Sequence, residues 1–271
     1  MILSKPSASV RQQRILQLLS GREEVSVAEL AQRFRVASMT VWRDLDVLEQ
    51  AGRITRTHGG ARLAAPSVAA FAFQARRQAR IAEKTAIGRA AARLVKPGMT
   101  VILDTGTTAL EVARALGGVP SLKVLTSSLA VASALLAHDE LELVLLGGTV
   151  SKGSPDLSGT LTEDNLAAFR ADLAFIGADA LDQRGFYTRS QEIAGVSRAI
   201  IASAQRTILV ADSGKFGRSA FVRIAGWEAI DDWLTDDGLP AGARHWGQRT
   251  LRNLVLAPAN TQQGPGSSSA G

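Results

Sequence analysis

The sequence predicts an α/β protein in two unequal parts: a compact unit of helices and a hairpin over residues 1–64, and an open α/β domain over residues 81–258. Three observations lead there. Apolar residues recur at helical spacing through the first sixty residues and end at a glycine-rich turn. From Ile81 onward short apolar runs alternate with helical patterns, the signature of a parallel sheet covered on both faces. The two parts also differ in charge. Of the 31 Lys+Arg and 25 Asp+Glu in the 271 residues, residues 1–80 hold 13 and 6, a net of +7, and residues 81–271 hold 18 and 19, a net of −1.

That imbalance places a positive field on the N-terminal part, which attracts polyanions. A basic solubilising arm has the same composition, so charge alone leaves both readings open. With 46% hydrophobic and 21% charged residues the chain can bury a core. It has no cysteine, which excludes disulfides, thiolate metal sites and cysteine nucleophiles. Its three histidines, His58, His138 and His245, are far apart, so no metal site and no cofactor are expected. No run of about 18 apolar residues is present, and Met1 to Arg11 lack the apolar stretch of a signal peptide, so a cytoplasmic protein without membrane contact is expected. Residues 1–8 and 259–271 read as unstructured. Residues 65–80, rich in Ala and Arg and containing Pro66, read as a linker that runs into a helix.

In the N-terminal part, Arg11 to Leu19 has Ile15, Leu18 and Leu19 at helical spacing. Ser26-Val27-Ala28-Glu29 has the form of a capping box and opens a second helix with Val27, Leu30, Ala31 and Phe34 on its apolar face. After the turn Arg35-Val36-Ala37 a third helix runs from Ser38 to Gln50, with Val41, Leu45 and Leu48 inward and Gly52 placed to stop it. The residues from Arg53 to Arg62 form a strand, a glycine turn and a return strand. This order is that of a winged helix-turn-helix, whose third helix enters the major groove. Ser38, Met39, Thr40, Trp42 and Arg43 lie on the outward side of that helix, where arginine suits guanine and threonine suits phosphate or a thymine methyl. Trp42 fits a sugar, a thymine methyl or a dimer contact. Arg53, Arg56, His58 and Arg62 make the hairpin a basic wing. A small helical protein-interaction domain shares the generic three-helix pattern.

The particular residues go further. Arg11-Gln12-Gln13-Arg14-Ile15-Leu16, Val27-Ala28-Glu29-Leu30-Ala31, Thr40-Val41-Trp42-Arg43-Asp44-Leu45, and Leu48-Glu49-Gln50-Ala51-Gly52 through His58-Gly59-Gly60-Ala61 resemble the DeoR family of bacterial repressors in order and spacing. The resemblance implies that the third helix reads double-stranded operator DNA. The chain departs from the family pattern at Ala37, where serine is usual, and at Trp42-Arg43, where two basic residues are usual.

In the second part the apolar runs are Thr100–Asp104, Leu122–Thr126, Leu143–Leu146, Leu173–Ile176 and Thr207–Ala211. Asp104-Thr105-Gly106-Thr107-Thr108 joins the first run to a helix that begins Ala109-Leu110-Glu111. A glycine turn with hydroxyls at a helix N-terminus suits an anion, and it is equally an ordinary helix cap. Thr126-Ser127-Ser128 and Gly147-Gly148-Thr149 also follow strands, where ligands of open α/β sheets collect. Asp179 and Lys215 stand just past two later strands. Lys215 fits a phosphate contact or an ordinary surface lysine.

Here too the order of Asp104–Thr108, Thr126–Ser128, Gly147-Gly148, Gly177-Ala178-Asp179 and Asp212–Gly217 is similar to the DeoR sensor domain, over roughly Glu83 to Asp237. That domain resembles ribose-5-phosphate isomerase in fold. The resemblance implies that Asp104, Thr105, Gly106, Thr107, Thr108, Thr126, Ser127 and Gly148 surround a phosphorylated sugar or related effector, with Asp179, Glu192 and Lys215 facing the sugar. It also implies a homo-oligomer, dimer or tetramer. Departures fall at Ser127, usually asparagine, at Gly214, usually serine, and near Ser197, where a basic residue is usual and Arg198 is adjacent. An isomerase would use Asp179, Glu192 and Lys215 as base and cation. However, Ile176 and Ala180 stand where isomerases carry acids beside Gly-Ala-Asp, so no catalytic residues are expected. A third reading keeps the DNA-binding part and leaves a vestigial pocket.

Overall fold

The computed structural model describes residues 7–19, 22, 24–51, 53–63, 68–151 and 154–259. Expectations for residues 1–6, Gly52, Pro66 and residues 260–271 lie outside the described residues. The chain divides into two units, residues 1–67 and 68–271.

The first unit runs α1 (Ala8–Leu19), β1 (Val25–Ser26), α2 (Val27–Phe34), α3 (Ser38–Gln50), β2 (Ile54–Arg56) and β3 (Gly60–Leu63). Its strands form a small antiparallel sheet in the order β1-β3-β2, so the hairpin is anchored to the strand before α2. Ser26 caps α2, its Oγ accepting from the Glu29 N–H at 3.1 Å. The reciprocal arm of the capping box is replaced: Glu29 Oε1 accepts from Arg22 at 2.6 Å instead. α2 ends on Arg35 in the left-handed region at φ 53°. Ile15, Leu19, Leu30, Val41, Leu45 and Ile54 fill the core between the three helices and the hairpin. Gly60 is required there, because a Cβ on it would lie 2.2 Å from the Val25 carbonyl oxygen.

The second unit opens with α4 (Val68–Gln78) and α5 (Ile81–Ala92), so the stretch read as a linker is helical from Val68. β4 (Thr100–Leu103), α6 (Thr107–Leu116), β5 (Lys123–Thr126), α7 (Leu129–Leu135) and β6 (Glu142–Leu145) follow. Next come β7 (Thr149–Val150), β8 (Leu157–Ser158), α8 (Thr160–Ala167), β9 (Ala171–Ile176), β10 (Ala180–Asp182), β11 (Gly185–Thr188), α9 (Gln191–Ala202) and β12 (Ala204–Val210). The chain ends through β13 (Val222–Ala225), β14 (Asp232–Asp236), α10 (Ala241–Thr250) and β15 (Leu254–Ala257). Seven strands form one sheet, ordered β15-β14-β12-β9-β4-β5-β6, and every pairing in it is parallel. One apolar layer, with Ile87, Leu103, Leu116 and Phe175, covers one face. A second, with Ile102, Ile176, Phe186 and Trp233, covers the other.

The five apolar runs become β4, β5, β6, β9 and β12. The sequence reading missed β14 and β15. β14 is bracketed by acids that the fold neutralises: Asp232 accepts from Arg206 at 2.7 Å and from Asn253 at 2.6 Å, and fully buried Asp236 accepts from the N–H and hydroxyl of Ser213, both at 2.7 Å. It also missed the antiparallel sheet β10-β11-β13.

Candidate functional site

In the first unit Ser38 and Arg43 are exposed on α3, as is Met39, while Thr40 and Trp42 are half-buried. Trp42 packs on the core of the unit and the Arg56 guanidinium lies 4.9 Å above its ring. Arg56 also pairs with Asp46 and, at 3.3 Å, with Glu49, so this wing residue is committed to α3. It fixes the angle of the hairpin against the helix. Arg53, His58 and Arg62 are exposed, and among the described residues none is in an ion pair. Ser38, Arg43, Arg53, His58 and Arg62 are thus exposed polar groups of the third helix and the hairpin.

In the second unit a cavity of about 800 Å³ opens at the carboxyl ends of β4, β9 and β12, where open α/β sheets place ligands. Asp104, Thr105, Gly106, Thr107, Thr108, Asp179 and Lys215 line it together. Gly106 has φ +100° and turns the chain sharply into α6, with open space where a Cβ would stand. The first N–H groups of α6 have no intrahelical acceptor and the positive end of the helix dipole faces the cavity. Thr108 Oγ1 is buried there without a hydrogen-bond partner.

Asp104 is buried and holds the wall in place. Its oxygens accept from the N–H groups of Thr105 (2.7 Å) and Gly177 (3.0 Å) and from Ser197 Oγ (3.3 Å). Burial pushes its pKa up to about 6, those hydrogen bonds oppose the rise, and the nearby Asp156 charge adds to it. Burial also works to raise Asp179. The hydrogen bond and charge of Arg189, which lies 2.9 Å away, outweigh it with help from Lys215 and Thr188. Lys215 donates to the Ala178 carbonyl, and burial lowers its pKa against the pull of Asp212 and Asp179.

Four predicted residues lie outside the cavity lining. Thr126 Oγ1 accepts from the Ser128 N–H (3.0 Å) and the Ser127 carbonyl from the Leu157 N–H (2.7 Å). Gly148, at φ +146°, packs so tightly that a Cβ would lie 2.0 Å from Thr162 Oγ1. These three brace the segment leading to β8. Glu192 is exposed and bonded to Ser190 Oγ, at the start of α9. Arg198 reaches the β13 carbonyls, 2.9 Å from Ile224 O. At Gly214 a Cβ would lie 3.0 Å from Asp212 Oδ1 and 3.1 Å from the stem of Arg80.

The residues that sequence reasoning missed are mainly cations: Arg76, Arg80, Lys84, Arg189 and Arg218 all line the cavity, as does Asp156. Arg80, at φ 54°, pairs with Asp212 (2.9 Å), Glu83 (3.2 Å) and Asp236 (3.3 Å). Lys84 donates to the carbonyls of Arg76 and Ala79 at the end of α4. Burial lowers the Lys84 pKa to about 8; the Lys215 charge acts the same way, and Asp212, Glu111 and Glu83 pull against both. Basic residues four apart at 76, 80 and 84 were the available signal.

Residues 11–67 match the DeoR-like helix-turn-helix domain, and residues 79–237 match the DeoR C terminal sensor domain. The chain is 34% identical to the putative aga operon transcriptional repressor of Escherichia coli O157:H7, over 86% of this chain and 88% of that one. It is 32% identical to the glycerol-3-phosphate regulon repressor of Escherichia coli K12, over 83% and 90%. Among solved structures, a D-ribose-5-phosphate isomerase aligns at a TM-score of 0.37 and 18% identity, over 49% of this chain and 52% of that one. The chain belongs to the DeoR family of transcriptional regulators, with a helix-turn-helix domain for DNA and a C-terminal sensor domain.

Proposed function

We propose that this protein is a repressor of carbohydrate genes that binds operator DNA as a dimer or tetramer and responds to a phosphorylated sugar or related metabolite. The carrying observation is the cavity itself. It combines the N-terminus of α6 with unpartnered Thr108 Oγ1 and a wall rich in Lys and Arg. In this reading Thr105–Thr108 and Lys215 hold the phosphate. Ser38, Thr40 and Arg43 face base edges, and Arg53, His58 and Arg62 grip phosphates. Trp42 and Arg56 set the wing. Paired recognition helices stand about 34 Å apart on the operator. The isomerase alternative is disfavoured because Glu192 is not among the cavity-lining residues and Asp179 is tied to Arg189. The DNA target implies a cytoplasmic protein.

The test is binding of the full chain to its own upstream DNA with a panel of sugar phosphates. One phosphate is expected to change the operator affinity. Thr108→Val removes a buried hydroxyl that has no partner, so stability should hold or rise, while the response to that phosphate is lost. A response unchanged in the variant removes this loop from the site.

A second expectation concerns pH. An anion in the cavity stabilises protonated Lys84, so ligand affinity should fall by up to about tenfold per pH unit as the pH rises above about 8. Binding at pH 8 should take up protons, seen as heats that depend on buffer ionisation enthalpy. Equal heats in two buffers would remove Lys84 from the linkage. On folding, the unfolded chain holds more protons between pH 8 and the ordinary 10.5. Lys84 therefore gives stability above that window that is lost as pH falls through it.

A further inference from the structure

The phosphate reading uses the head of α6 and leaves other lining residues unexplained. Arg76, on α4, is half-buried and lines the cavity. Among the described residues no carboxylate lies within ion-pair distance of its guanidinium, whereas Arg80 and Arg189 are both paired. Asp156 and Asp179 attract it from across the space and Arg189 repels it. Asp156 is 4% exposed, and its Oδ1 has no hydrogen-bond partner. A buried carboxylate oxygen left without a partner is costly, and the Arg76 guanidinium, 5.8 Å over the Phe73 ring, has no ion-pair partner among the described residues. Both become satisfied by one kind of group, a hydroxyl that donates to the carboxylate and accepts from the guanidinium.

We propose that Arg76 and Asp156 bind a hydroxyl-bearing part of the effector beyond its phosphate, so that a ligand is selected by its sugar end through a residue of α4. This rests on the phosphate reading above and deepens it. The position of Arg76 gives the contact a second consequence. α4 is the first element of the sensor unit after the winged unit in the chain. Its end is already tied to the cavity wall, since Lys84 holds the Arg76 and Ala79 carbonyls and Arg80 donates to Ser213 Oγ at 2.8 Å. A ligand bridging Arg76 and Asp156 adds a contact available only when the cavity is full. Such a differential contact is what a ligand needs to shift a conformational equilibrium.

The experiment compares inorganic phosphate with the tightest binder of a panel of pentose 5-phosphates and hexose 6-phosphates on the full chain. Hydrogen exchange is followed at residues 73–80 and 105–109. Both probes are expected to protect 105–109, and only the sugar phosphate to protect 73–80. Arg76→Ala and Asp156→Asn should each lower the preference for the sugar phosphate over inorganic phosphate about ten- to a hundredfold, as expected for a charged hydrogen bond. A loss through general loosening of the fold would lower both affinities together and leave that ratio intact. A ratio unchanged in both variants, with 105–109 still protected, overturns the proposal and leaves the phosphate reading standing. Protection at 105–109 by neither probe overturns the phosphate reading, and this inference falls with it.

Discussion

Asp44→Ala is expected to unfold the N-terminal unit well below the melting temperature of the intact protein and to abolish operator binding. Asp44 sits in α3 among residues that are otherwise core, and its side chain is 3% exposed. It accepts from Arg11 Nε and, at 3.1 Å, from a terminal nitrogen of Arg11, itself 8% exposed, while Gln12 donates to it at 3.2 Å. The pair fastens α1 to α3 and so sets the helix that meets DNA. Removing one member of a buried pair costs about 3–5 kcal/mol, because the remaining charge stays in the interior. A unit of this size has little stability to spare, and the loss corresponds to roughly 12 °C or more in its melting temperature. Calorimetry of the full chain should show one transition displaced and the sensor transition in place. A first transition within about 2 °C of the parent would show that the pair is not structural.

That pair marks the boundary of what the sequence discloses. The bounds of α3 and its inward Val41, Leu45 and Leu48 were legible because a 3.6-residue period repeats over three turns. Nothing in the period says that Asp44 turns inward as well, since its burial depends on a partner 33 residues away. The same contrast runs through the sensor unit. Strands flanked by turns that carry hydroxyls or glycine were readable, and with them Thr105–Thr108 as a cavity wall. β14 was not, because Asp232 and Asp236 read as surface acids until Arg206, Ser213 and Arg80 are brought against them. Asp156 and Arg189 lie in stretches of ordinary surface composition, and only the return of β8 and β11 toward the ends of β4 and β9 makes them part of a site. Conversely, Thr126, Ser127 and Gly148 carry the expected residue types at strand ends, but their strands lie one and two places beyond β4 in the sheet. Strand order is a long-range property that local pattern does not encode.

Gly88→Ala tests whether the position of α6, rather than its sequence, makes the phosphate cradle. Gly88 lies on α5 where it crosses α6. A Cβ there would meet the Glu111 carbonyl oxygen at 2.5 Å, its carbon at 2.7 Å and the Val112 nitrogen at 3.1 Å. All three are backbone atoms of a helix and cannot swing aside, so the helices must separate. Overpacking of this kind costs about 1–3 kcal/mol. Glycine itself weakens a helix by about 1 kcal/mol relative to alanine, so on an isolated helix the substitution would be stabilising. The crossing reverses that sign. Because Glu111 follows Thr107 by about one helical turn, the displacement reaches the N–H groups at the head of α6, and affinity for inorganic phosphate should fall along with the sensor melting temperature. Gly106→Ala separates strain from displacement: nothing lies within 4 Å of its Cβ position, and only the positive φ resists. If Gly88→Ala leaves both stability and phosphate affinity intact, the α5–α6 contact is looser than its geometry states, and the cradle does not depend on it.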